Sequence, residues 1–203
     1  MSGSFPLTPF PSKVIMRSRP RVFTDYTMSG KKFSRSFGVH VWELDITFPP
    51  MSRAEFDPIY AFILSQIGSY GTFTFAAHDR RTPRGSVSGS PSGTPLVNGA
   101  SQTGTSLVTD GWPHSHTGLL LPGDLITING DTKVYMVTAS VDSNGSGQAT
   151  ISLHAPLVVS PADNAAITTV NIAFTVSISQ DIQELSTAEA DIYEYSLSLT
   201  EAL

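Results

Sequence analysis

Between Phe37 and Phe75 the chain is compatible with few folds. Trp42, Leu44, Ile46 and Phe48 occupy alternate positions, with Glu43, Asp45 and Thr47 between them, so this stretch predicts a strand with one buried face and one wet face. Pro49-Pro50 stops the strand. Ser52 and Glu55 then have the spacing of a capping box, in which each side chain satisfies an orphan amide at a helix start, and Met51 and Phe56 stand where a hydrophobic staple would. The helix, over about 52–67, keeps Phe56, Ile59, Tyr60, Ile63 and Ile67 on one side, and Gly68 supplies the left-handed residue that ends it. Pro58 removes an internal hydrogen bond, which predicts a kink or a later start with Asp57 as the cap. Either reading leaves the apolar face intact. Gly71-Thr72-Phe73-Thr74-Phe75 restarts a strand. One helix laid against an otherwise β chain, with no catalytic constellation beside it, points toward scaffolding.

Composition narrows the class. The 203 residues suffice for one sizeable domain or two small ones, and 14% charged residues is well below the usual share of about 25%. That balance suits β structure whose surface is covered by neighbours. The net charge of −5 argues against a general nucleic-acid binder, although Arg17, Arg19, Arg21, Lys31, Lys32 and Arg35 make the N-terminal region basic. They read as a solvated hairpin or a face meeting an acidic neighbour. Without cysteine there is no disulfide, thiolate nucleophile or thiolate zinc site. No window holds the roughly 18 apolar residues of a membrane span, so membrane insertion is not expected, and the N-terminus lacks the pattern of a secretory signal.

Along the chain, Arg21 to Phe37 reads as a hairpin turning at Met28-Ser29-Gly30-Lys31. From Asp79 the character changes, and a Gly/Ser/Pro/Thr-rich run reaches about Thr105. A second small β unit follows: Leu119-Leu120-Leu121, the turn Pro122-Gly123-Asp124, the strand Leu125 to Ile128, the turn Asn129-Gly130-Asp131, and Lys133 to Thr138. Asn-Gly between two β-branched runs is a strong hairpin signal. Asp142 to Gly147 makes another turn before the strand Ala149 to Leu153. Such short strands fit a small barrel of the SH3 or OB type. Alternation then returns from Ile167 to Ser179 and again to Thr200, with Tyr193, Tyr195, Leu197 and Leu199 on one face. These strands look like antiparallel partners for Trp42 to Phe48. The expected layout is mainly β and discontinuous: residues 1–87 plus 165–203 form a β domain with one helix, and residues 88–164 form an inserted small β-barrel domain.

Each candidate for chemistry weakens on inspection. His114 and His116 are spaced to share a strand face as two metal ligands would, but no third ligand stands at a convincing spacing, and exposed loop histidines are the simpler account. Gly85-Ser86-Val87-Ser88-Gly89 has valine where a nucleophile elbow needs serine. Asp142 to Gly147 lacks the distal Glu of a calcium loop, and turn chemistry explains its residues. The pairs Asp181/Glu184 and Glu189/Asp191 read as solvated loop acids. No catalytic residue, metal ligand set or cofactor is assigned. Trp112, His114 and Tyr135 remain as a candidate sugar-stacking or partner-contact patch, weighed against core packing.

The run Trp42-Glu43-Leu44-Asp45-Ile46-Thr47-Phe48-Pro49-Pro50-Met51-Ser52-Arg53-Ala54-Glu55, with Gly68-Ser69-Tyr70-Gly71-Thr72-Phe73, resembles minor tail and distal tail proteins of long-tailed bacteriophages. Asp79-Arg80-Arg81-Thr82-Pro83-Arg84-Gly85, Thr94-Pro95-Leu96-Val97-Asn98-Gly99-Ala100 and Pro122-Gly123-Asp124 look like the same group. The resemblance implies a non-enzymatic virion component of the tail tip, made in the host cytoplasm. Its fold would be a tail-tube-like β-barrel or sandwich with one flanking α-helix. Its partners would be copies of itself in a ring, most simply a hexamer, together with the tail tube protein and the hub or fibre proteins. A host-surface glycan bound by the inserted domain is the alternative. A tail-associated hydrolase is disfavoured by the lack of any triad or paired-acid motif.

Overall fold

A computed structural model describes residues 3–88, 93–183 and 192–203. The chain divides into two compact units, one of residues 1–18, 41–78 and 173–203, the other of residues 19–40 and 79–172.

One antiparallel sheet has β1 (Lys13–Tyr26), β2 (Lys32–Thr47), β11 (Ser196–Glu201), β10 (Phe174–Ile178) and β3 (Thr72–Phe75) in that order; β3, β10, β11, residues 13–18 of β1 and residues 41–47 of β2 belong to the first unit. The alternation read from the sequence sets its faces. Leu44 faces Leu199 and Ile46 faces Leu197 across β2 and β11, and Phe174 faces Phe75 across β10 and β3. All six side chains are buried, which fixes the register because a one-residue slip would send each to the opposite face. The helix α1 (Arg53–Ser65) buries Phe56, Ile59 and Ile63. Phe56 stacks on Tyr193 with centroids 4.9 Å apart, and Phe62 meets Phe73 edge-on at 5.3 Å.

The capping signal decides where α1 starts. The Glu55 carboxylate accepts from the Ser52 amide at 3.0 Å and from its hydroxyl at 2.8 Å, and these bonds hold its pKa below the ordinary value. Pro58 is therefore carried inside the helix, and the later start at Asp57 is not used. At the other end the expectation needs correcting. Ile67 already has φ 56°, so two left-handed residues, Ile67 and Gly68, end the helix, and the Ile67 side chain is exposed rather than part of the buried face. A side chain at position 68 would collide with Asp181, whose carboxylate accepts from the Ser69 amide at 2.9 Å and the Ser69 hydroxyl at 2.6 Å.

The second unit holds two three-stranded antiparallel sheets. One is β4 (Leu96–Val97), β5 (Ser106–Asp110) and β8 (Ala149–Ser152); the other is β7 (Val134–Met136), β6 (Leu125–Ile128) and β9 (Ile167–Thr168). Their edges meet through the single bridges Leu96↔Ala166 and Val137↔Leu153. Continuous ladders do not run across those seams, so the expected closed barrel is not formed; strands of two to five residues leave too few backbone groups to pair on both sides. Val97, Leu107, Trp112, Ile126, Tyr135 and Ile151 sit in the core of this unit. The sheet of the first unit is open too, neither barrel nor sandwich, with a helix on it instead of a second sheet.

The long strand expected from Ile167 to Ser179 is two strands. β9 pairs with β6, β10 pairs with β3 and β11, and between them Asn171 adopts φ 55° while its amide donates to the Arg81 carbonyl at 2.6 Å. Period-2 alternation survives a break of this kind because it reports burial, not continuity.

Candidate functional site

The described residues offer three places where side chains do more than pack. The first is Asp124, buried at 4% exposure in the turn after Leu121. Its carboxylate accepts from the Arg84 and Leu121 amides at 2.8 Å each and from the Gly85 amide at 3.2 Å, with the Arg84 guanidinium at 3.9 Å. Two loops some 40 residues apart are thus joined through one acid. This geometry satisfies three backbone donors from two loops, so it is a structural knot.

The second is a buried cluster on the second unit. His40 Nδ1 lies 3.2 Å from both Lys133 Nζ and His154 Nε2, and the Met136 amide donates to His154 Nδ1 at 3.0 Å. The backbone donor fixes the tautomer: His154 carries its proton on Nε2 and donates it to His40, whose Nδ1 is the acceptor. Burial, with the Lys133 charge added, pulls His40 down to about 4. Burial and the charges of His40 and Lys133 pull His154 to about 4 as well. Both rings are neutral at pH 7. Nothing in the sequence announces this cluster, because its members are 93 and 114 residues apart and the fold alone joins them.

The third is the ribbon of β1 and β2. Every residue from Arg17 to Val39 is exposed. Phe23 is 50% exposed, Phe33 and Phe37 59%, and Met28 at the turn is fully exposed. The turn itself falls where the sequence puts it, with the Gly30 amide donating to the Thr27 carbonyl at 2.8 Å. Arg17 pairs with Asp45 across the two strands.

Sequence-derived candidates fare unevenly. Trp112 is buried and its indole donates to Thr109 at 2.7 Å; Tyr135 is buried and its hydroxyl donates to Asp131 at 2.7 Å while accepting from the Val158 amide at 2.8 Å. His114 alone of the trio is exposed. Trp112, His114 and Tyr135 are therefore not assembled as a stacking surface, and since Trp112 and Tyr135 are the two Phe, Tyr or Trp residues between 84 and 172, the exposed rings of that segment are the imidazoles of His114 and His116. His116 is exposed, with Nδ1 at 3.4 Å from Ser86 Oγ. Asp142 accepts from the Gly118 amide and Asn144 from the Ser146 and Gln148 amides, which is turn chemistry. Among the described residues no group of three or more His, Asp or Glu is placed to hold a metal ion, and no helix is long and apolar enough to cross a membrane. Glu184, Glu189, Asp191 and Gly89 lie outside the described residues.

Residues 84–172 match the family model described as distal tail protein pb9, B domain. The match supports a phage distal tail protein. It covers less than half of the chain and falls on the second unit, including the Thr94 to Ala100 and Pro122-Gly123-Asp124 motifs; the capped helix and the Trp42 strand lie outside it. No curated protein matches the chain. Distal tail proteins are structural components of the virion tail that associate with other tail proteins, which argues against an enzyme.

Proposed function

We propose that this chain is a subunit of a ring at the distal end of a siphophage tail, part of a baseplate that joins the tail tube to the hub or fibre proteins. The observation that carries the reading is the match of residues 84–172 to a distal tail protein domain. Three features support it. The open five-stranded sheet has β1 at one edge for pairing with a neighbour, the other edge, β3, being bridged by Ser4. The low charge content suits a surface largely covered in an assembly. The long ribbon of β1 and β2 is exposed from Arg17 to Val39, a surface open to a neighbour. In this reading residues 1–87 and 165–203 form the ring wall, residues 88–164 are the inserted domain, and a hexamer is the closed form. The protein is made in the host cytoplasm and ends in the virion. A glycan-binding role for the inserted domain gains nothing from Trp112 and Tyr135, whose rings are buried.

The test is localisation followed by imaging. Purified virions are probed for the chain by mass spectrometry, and tail tips are imaged with and without an antibody to it. A ring of equivalent densities labelled at the distal end of the tube is expected. Absence of the chain from purified virions, or labelling along the tube or on the capsid, overturns the reading.

A further inference from the structure

The chain contains three Asn-Gly pairs, Asn98-Gly99, Asn129-Gly130 and Asn144-Gly145. An asparagine before glycine is open to attack on its own side chain, because glycine has no Cβ to shield the backbone nitrogen that follows. In sequence the three pairs are equivalent. In the fold they are not.

At Asn98 the attacking nitrogen is held. The Gly99 amide donates to Asp163 Oδ1 at 2.8 Å, and a carboxylate beside it opposes formation of the amide anion that attacks. At Asn144 the carboxamide is held. Its Oδ1 accepts from the Ser146 and Gln148 amides at 2.9 Å each, and its Nδ2 donates to Gln148 Oε1 at 3.2 Å. Each pair must break hydrogen bonds of its own loop before the two reacting atoms can meet.

Asn129-Gly130 differs on both counts. The pair sits at the tip of the β6–β7 turn, which is closed by the Asp131 amide donating to the Ile128 carbonyl at 3.0 Å, and both residues are exposed. Among the described residues neither the Asn129 carboxamide nor the Gly130 amide makes a hydrogen bond. Gly130 has φ 90°, and a Cβ built on it would meet nothing within 4 Å, so the amide stands open to water.

We propose that Asn129 is a modification site, at which the folded chain deamidates spontaneously with water as the only co-reactant. The Gly130 nitrogen forms a bond to Asn129 Cγ, the Cγ–Nδ2 bond breaks, and the proton lost by Gly130 leaves with the side-chain nitrogen as ammonia. Water then opens the cyclic imide at either carbonyl. One opening gives aspartate; the other gives isoaspartate, in which the backbone continues through the side-chain carbon. Water enters, ammonia leaves, and nothing is oxidised or reduced. Both products put a new carboxylate beside Asp131, which accepts from the Lys133 amide at 2.9 Å and the Tyr135 hydroxyl at 2.7 Å. The isoaspartyl product also lengthens the backbone of the turn that leads into β7. In a virion component, which is not renewed once the particle has left the cell, the product accumulates with age.

The experiment uses the full natural chain, incubated at mildly alkaline pH in water enriched in heavy oxygen, one portion folded and one in urea. Peptides are mapped by mass spectrometry with electron-transfer fragmentation, which separates isoaspartate from aspartate. In the folded portion, conversion at Asn129 is expected to exceed that at Asn98 or Asn144 at least about tenfold, with heavy oxygen in the product. In urea the three sites are expected to convert at similar rates, since only the fold distinguishes them. Equal conversion at the three sites of the folded chain overturns the proposal, as does Asn98 or Asn144 running ahead of Asn129. So does an Asn129 that stays intact in the folded portion while the urea portion converts.

Discussion

Replacing Asp124 tests whether the second unit depends on one buried carboxylate. In Asp124→Ala three backbone amides, those of Arg84, Gly85 and Leu121, lose their acceptor at a site where Asp124 is 4% exposed. Each amide left unpaired in a dry site costs about 1–3 kcal/mol, while the more exposed Arg84 guanidinium at 3.9 Å contributes under about 1 kcal/mol. Allowing for partial hydration after the change, the loss is about 3–6 kcal/mol, a large share of the roughly 5–15 kcal/mol that holds a domain folded. Asp124→Asn keeps one oxygen and places an amide NH₂ against at least one N–H, so about 1–3 kcal/mol is expected. The assay is urea unfolding in a Trp42→Phe background, where Trp112 is the remaining indole and reports the unit of residues 19–40 and 79–172. An alanine variant within about 1 kcal/mol of its parent refutes the reasoning. Asn as damaging as Ala would mean that the charge, not the number of bonds, matters.

Gly85→Ala places a methyl group against the Leu119 carbonyl oxygen and 2.7 Å from Leu120 Cα, backbone atoms that cannot step aside, so a loss above about 2 kcal/mol is expected in the same unfolding assay. Leu44→Ala empties a fully buried site opposite Leu199 and should cost about 2–5 kcal/mol; an effect under about 1 kcal/mol would contradict the assigned register. For the histidine pair, the folded values near 4 lie below the ordinary 6.5, so the unfolded chain binds more protons between these two pH values. Stability is complete above about pH 6.5 and declines as pH falls toward 4, by on the order of 1–3 kcal/mol after solvent screening of the half-buried His154. Melting temperatures measured from pH 7.5 to 5 check this, and a flat profile across pH 6.5–5 would show that the pair is not buried neutral.

Much of this molecule is legible without coordinates where the signal is local. Ser52 and Glu55 locate the start of α1 because a capping box is made and satisfied within four residues. Asn129-Gly130 joins β6 to β7 for the same reason. The alternation of Trp42 to Phe48 names the buried face of β2 correctly. Reading fails where alternation is asked to report continuity, as at Asn171, and where an aromatic residue is asked to declare its side of the surface. Trp112 and Tyr135 look the same in sequence whether they face a sugar or Thr109 and Asp131.

The sequence by itself determined the class and the inventory: a mainly β chain with one helix, no cysteine, and a cationic stretch near its N-terminus in an acidic whole. Those properties follow from composition and from interactions only a few residues long. The tertiary structure decided that the cationic stretch is a ribbon exposed on both faces, that Asp124 ties Arg84 and Gly85 to Leu121, and that His40, Lys133 and His154 share one buried point. Each of these depends on which distant segments are brought together, and that is set by the simultaneous burial of the whole core and not by any window of the chain.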